Sequence, residues 1–99
     1  MIDKKPSHKG KKVRVTFEVP ESVAEQSVAV VGEFNEWSLE KDKMKLDSKK
    51  GVWTKSKLLD PGASYQFRYF VDGIRWHNDE TADGYVSNEY FSENCLLNV

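Results

Sequence analysis

Two tryptophans stand in company unusual for the largest apolar side chain. Trp37 lies in "VVGEFNEWS", residues 30–38, beside Asn35, Glu36 and Ser38, and Trp76 lies in "DGIRWHND" beside Arg75, His77 and Asn78. Leaving an indole in water is unfavourable, so an indole in a polar turn raises the question of what covers it. A sugar ring has an apolar face of C–H groups and a rim of hydroxyls; a flat aromatic stacks on the first, and amide or charged groups bond the second. Two exposed tryptophans with asparagine and arginine nearby supply both. The same residues equally allow each indole to fold over the end of the core, where tryptophan is on average largely buried. Trp53 differs: it sits within a strand pattern and reads as core or as an exposed strand aromatic.

Other chemistry is missing. There is no phosphate-cradling glycine loop, no nucleophile elbow and no histidine pair at metal-ligand spacing. Asp79, Glu80 and Asp83 fall close together, but the glycine and glutamate that a calcium loop needs at its sixth and twelfth positions are missing. They read as a charged loop kept solvated. Cys95 is the one cysteine and cannot form an internal disulfide; in the apolar run "NCLLNV" it reads as a small core residue, and neither His8 nor His77 marks itself as an activating partner. The expectation is a chain that is not an enzyme and has no catalytic residue, metal ligand or cofactor.

The 99 residues suit one domain, and 38% apolar content is enough for one small core. The net charge of −1 exerts no overall pull toward nucleic acid or membrane, but it hides an asymmetry. Lys4, Lys5, Lys9, Lys11, Lys12 and Arg14 crowd the start, against Asp3; Asp72, Asp79, Glu80, Asp83, Glu89 and Glu93 crowd the end. Residues 1–11 read as a disordered basic leader. A polyanion-binding tail is the sharper alternative, but no aromatic interleaves the lysines to stack on bases. No apolar run is long enough to cross a bilayer, and no charged start leads into an apolar segment of signal type. The expected location is cytoplasmic.

The elements that must carry these residues are strands. "KVRVTFEVP" alternates, with Val13, Val15, Phe17 and Val19 on one face, and Pro20 ends it. "SVAVVGEF" reads as a more buried strand, "KMKLD" alternates through Met44 and Leu46, and "VWTKSKLL" leads to the turn signal "DPG". In "SYQFRYFVDG", Tyr65, Phe67, Tyr69 and Val71 oppose Gln66, Arg68 and Phe70, which points Arg68 away from the core; Asp72–Gly73 then favours a tight hairpin turn. A long polar loop, "HNDETADGYVSNEYFSEN", precedes a closing strand "CLLNV". "PESVAEQS" allows one helical turn. Short strands at regular spacing argue for an all-β sandwich or small barrel.

Taken in order, "VAVVGEFNEWS", "GVWTKSKLLDPGASYQFRYFVDG" and "RWHND" resemble the glycogen- and starch-binding modules of carbohydrate-binding family 48. These are the isoamylase early-set domains, which include the glycogen-binding domain of the AMP-activated protein kinase beta subunit. The resemblance runs from Val13 to Val99 and is closest to free-standing bacterial versions. It implies an immunoglobulin-like (early set) β-sandwich of about seven strands, occupying residues 12–99 as a single carbohydrate-binding-like domain. It also implies a non-catalytic module for α-1,4-glucans such as glycogen, starch or maltodextrin, with a glycogen-metabolising enzyme as a further partner. The family's stacking tryptophans fall on Trp37 and Trp76, its basic residue on Arg68, and its asparagine before the last strand on Asn94. Its polar residue two places earlier falls on Ser92, and the apolar residue that enters the ring of a cyclic oligosaccharide falls near Tyr90. The loop from Asp79 to Phe91 departs from the family in length and composition, and one residue is inserted between "VDG" and Trp76. The implied core includes Val15, Phe17, Val30, Phe67, Tyr69 and Leu97.

Two other readings compete. In one, the chain is a structural or protein-interaction early-set domain, with Trp37 and Trp76 as interface anchors. In the other, a β-face with aromatics binds single-stranded nucleic acid; the near-neutral charge and acidic last third speak against it.

Overall fold

The computed structural model describes residues 1–7 and 10–99, so His8 and Lys9 of the basic start lie outside the described residues. Among the described residues there are nine strands and two single-turn 3-10 segments. The strands are β1 (Ile2–Pro6), β2 (Val13–Pro20), β3 (Val28–Gly32), β4 (Lys45–Asp47), β5 (Val52–Leu59), β6 (Ser64–Val71), β7 (Arg75–His77), β8 (Gly84–Ser87) and β9 (Glu93–Asn98). One antiparallel sheet runs β1-β2-β5-β4; the other runs β3-β6-β9-β8, with β7 also paired to β6.

The alternation in β2 and β6 decides how the sheets face each other. Val15, Phe17 and Val19 from the first sheet meet Phe67, Tyr69 and Val71 from the second, all essentially without solvent contact. Phe17 is the hinge of this core: its ring centroid lies 5.3 Å from Phe67 and 6.4 Å from Tyr69, both edge-to-face. The expected core residues Val15, Phe17, Val30, Phe67, Tyr69 and Leu97 are all buried, as are Trp53 and Cys95. The fold is an all-β sandwich of two antiparallel sheets.

Four local expectations are corrected. The stretch read as a disordered leader contains β1, paired with β2 from Ile2↔Phe17 to Pro6↔Val13. Its lysines conceal it, because a charged edge strand offers backbone pairing and no apolar face. The opposed charges of the two chain ends meet where Lys4 bonds Asp83 at 2.5 Å, while Lys12 pairs with mid-chain Asp60. The acidic loop is not uniformly solvated: Asp79 is buried and accepts from the Tyr69 hydroxyl at 2.7 Å and from the Thr81 N–H and hydroxyl, both at 2.7 Å. The polar stretch between Trp76 and Cys95 is not all loop, since it contains β8, paired from Gly84↔Leu96 to Ser87↔Glu93. Finally, Met44, just before β4, is buried while Leu46 within it is exposed, so only one of this pair turns inward. β1, β7 and β8 join the six stretches legible as strands, so the described residues hold nine strands against the about seven expected.

Candidate functional site

Strand β6 is the platform. One of its edges pairs with β3 along Phe67–Val71, from Val71↔Val28 to Phe67↔Gly32. The other edge is shared: Ser64–Phe67 pair with β9, and Tyr69–Val71 pair with β7. Arg68 stands at the point where one partner gives way to the next, and period-two alternation puts its side chain on the outer face with Gln66 and Phe70. Its Nε donates to Asn78 Oδ1 at 2.8 Å and its Nη1 to Ser92 Oγ at 3.2 Å. Its guanidinium carbon lies 5.6 Å from the centre of the Trp76 ring. Trp76 is brought there by the Asp72–Gly73 hairpin, whose φ values of 55° and 70° put both residues in the left-handed region, as such turns require. Opposite Phe70 in the ladder, Trp76 packs on that ring at 4.8 Å.

Trp37 is delivered by a different device. After β3, residues Glu33–Asn35 make one 3-10 turn, and Glu36 and Trp37 both take φ of 58°. Consecutive left-handed residues without glycine are unfavourable, by about 1–2 kcal/mol each, so something must hold them. Asn35, 4% exposed, does this. Its Oδ1 accepts from Gly32 N–H at 3.1 Å, and its amide donates to Val30 C=O at 3.0 Å and to Asp42 Oδ2 at 2.7 Å. Asp42 is itself buried and pairs with Lys57 at 2.9 Å. Burial pushes the Asp42 carboxyl up, but hydrogen bonds from Asn35 and Lys57 outweigh this and hold it below the ordinary carboxylate value. The turn closes with Trp37 N–H donating to Gly32 C=O at 2.9 Å. Gly32 is needed here for space: a Cβ would stand 2.6 Å from the carbonyl oxygen of Gln66 and 2.7 Å from Phe67 Cβ.

These devices bring Trp37, Arg68, Trp76, Tyr90 and Asn94 to one open groove of about 690 Å³. Trp37 and Trp76 keep 38% and 43% of their surface exposed, and Tyr90 keeps 78%. Neither indole belongs to the buried core. Ser92 does not line this groove. It faces an adjoining depression and reaches the site through its hydroxyl, which accepts from Arg68. Residues that the sequence did not single out complete the wall: Gln66, Asn88, Glu33, Leu39 and Glu89. Gln66 was within reach of strand alternation, since it shares a face with Arg68. Asn88 carried no periodic signal, because its position depends on the β8–β9 pairing. Together they build an amide chain, in which Asn94 donates to Gln66 Oε1 at 3.1 Å and Asn88 donates to Asn94 Oδ1 at 3.1 Å. The groove thus offers aromatic faces flanked by amides, one guanidinium and two carboxylates, a set suited to a neutral ligand with an apolar face and many hydroxyls.

No curated protein matches the chain. One family model does, over residues 13–97: the glycogen recognition site of AMP-activated protein kinase. The matched span takes in β2 to β8, all of β9 but Asn98, and every residue of the groove. On this match the chain belongs to the family of AMP-activated protein kinase glycogen recognition sites.

Proposed function

We propose that this chain is a non-catalytic glycogen-binding module that holds an α-1,4-glucan in the groove between Trp37 and Trp76. The observation that carries the reading is the convergence of those two half-exposed indoles with Arg68 and Asn94 in one groove, on a chain of a glycogen-recognition family. The indoles stack on sugar faces, Arg68 and Asn94 bond ring hydroxyls, Tyr90 closes one side, and Ser92 orients Arg68. The groove is open and the free glucan is flexible, so binding is weak. The module brings a glycogen-metabolising enzyme to its substrate in the cytoplasm and does no chemistry of its own.

Quenching of tryptophan fluorescence by maltoheptaose or β-cyclodextrin tests this, as does retarded migration in a glycogen-containing native gel. Saturable quenching with release of no reducing sugar is the expected result. A wild-type protein that ignores both ligands at about millimolar concentration would instead favour an interaction domain that uses the two indoles as anchors.

A further inference from the structure

Phe91 is unfavourable twice over. Its side chain is fully exposed, at 103% of the reference surface, and its backbone takes φ of 62°, a conformation that suits glycine and strains a bulky residue. No core contact compensates for either. The tip that carries it is nonetheless built with care. Asn88 N–H donates to Ser92 C=O at 2.9 Å, and Asn88 Oδ1 accepts from Tyr90 N–H at 2.9 Å. The Asn88 amide donates to Ser92 Oγ at 3.0 Å. Asn88 therefore holds the turn in which Phe91 is presented. The adjacent aromatics diverge: Tyr90 lines the groove, whereas Phe91 lines a second depression of about 650 Å³ with Asn78, Ser87, Ser92 and Glu93. The two depressions adjoin at Arg68 and Asn88, which line both.

We infer that Phe91 is a third stacking platform, on which an α-glucan long enough to pass the Asn88–Ser92 tip lays a further glucose unit. Arg68 and Asn78 bond its hydroxyls from β6 and the segment after β7, and Ser92 and Glu93 from the start of β9. The inference rests on the glucan-binding reading and extends it: the groove alone serves short oligosaccharides, and both depressions serve long chains. An exposed aromatic beside hydroxyl and amide groups is the same chemistry that marks Trp37 and Trp76, and adjacency to the groove at Arg68 makes the same polymer its occupant.

The test compares wild type, Phe91→Gly and Phe91→Tyr against maltotetraose, maltoheptaose and glycogen. Binding is read from the indole proton shifts of Trp37 and Trp76, which report millimolar affinities. Phe91→Gly is expected to bind maltotetraose as wild type does, and to lose roughly tenfold in affinity for maltoheptaose and glycogen. Its melting temperature should stay level or rise, because glycine relieves the strained φ. Phe91→Tyr should keep the length dependence. Unchanged binding of the long ligands by Phe91→Gly would overturn the inference, as would an equal loss for all three ligands or a loss accompanied by a lower melting temperature. If wild type bound none of the three, the glucan-binding reading itself would fall; wild-type binding with an indifferent Phe91→Gly would remove only the third platform.

Discussion

Arg68 and Trp76 form one unit: the guanidinium lies over the indole at 5.6 Å from the ring centre, while two of its N–H groups bond Asn78 and Ser92. The arginine therefore fixes the orientation of a stacking ring as well as offering hydrogen bonds. A lysine would supply charge here without a planar fork to bond two acceptors and cover a ring together.

From this pairing, Arg68→Ala should weaken maltoheptaose binding by more than one lost hydrogen bond, about 2–3 kcal/mol by calorimetry, because the Trp76 ring loses its support as well. Arg68→Lys should recover part of that loss. The ligand is uncharged, so wild-type affinity should change less than about twofold between low and high salt, since there is no ionic attraction to screen. A steep salt dependence would point to an anionic partner.

Trp37→Ala and Trp76→Ala should each lower glucan affinity by about 1–3 kcal/mol, by analogy with aromatic stacking on bases, or roughly ten- to hundredfold. Each ring is more than half covered, so some stability is lost too, but less than for a core aromatic. Trp76→Ala should be the more destabilising of the two, because it also uncovers Phe70. Thermal melts and titrations on the same samples separate these effects: a large drop in melting temperature with unaltered binding would assign the indoles to the core.

Gly32→Ala should destabilise strongly. Its Cβ would fall at 2.6 Å and 2.7 Å from atoms of the β6 backbone and of Phe67 Cβ, none of which is the free end of a flexible chain. Either the β3–β6 ladder moves apart or the turn that delivers Trp37 shifts, at a cost on the order of 2–3 kcal/mol. Chemical denaturation should show a lower midpoint, and glycogen retardation should weaken along with it.

Acid should unfold the protein through carboxylates that the fold holds ionised. The Asp42 carboxyl sits below its ordinary value of 3.8 in the folded chain, and so does that of Asp72, which accepts the backbone N–H groups of Gln26, Glu25 and Ser27. A group whose pKa is lower when folded stabilises above its unfolded value, and that stability disappears as pH falls through the folded value. The melting temperature should therefore be flat near neutrality and fall below about pH 4. Asp42→Asn should lower it at pH 7 by the equivalent of about 1–3 kcal/mol, because Lys57 loses its anionic partner and the bond from Asn35 loses its charge assistance, and should flatten the acid limb. An acid limb in Asp42→Asn as steep as in wild type would refute this account of Asp42.

Phe17, Phe67 and Tyr69 were readable from the chain alone, because alternation at period two is enforced wherever one face of a sheet is buried. The positions of β2 and β6 follow from that rule, and so does the outward direction of Arg68, whereas β3, β5 and β9 were legible as apolar or strand-forming runs beside turn signals. The same rule was silent for β1, whose lysines give an edge strand no apolar face, and for β8, whose polar residues resemble a loop until β9 pairs with them. Asp79 was misread for a related reason: a carboxylate can be buried only if donors surround it, and its donors Tyr69 and Thr81 come together only in the folded chain.

Local sequence determined what each residue could contribute: indoles in polar turns, a glycine where β3 leaves the sheet, and an asparagine able to cap a strained turn. Tertiary structure alone decided that Trp37, from the turn after β3, and Trp76, from the hairpin after β6, would share a groove with Asn94 from β9. It also decided that Ser92 would stand outside that groove, and that Tyr90 and Phe91, neighbours in sequence, would serve different depressions. Strand alternation assigns a side chain to a face of its own sheet, but the distance between side chains on different strands depends on register and turn geometry, which arise only when distant segments pair.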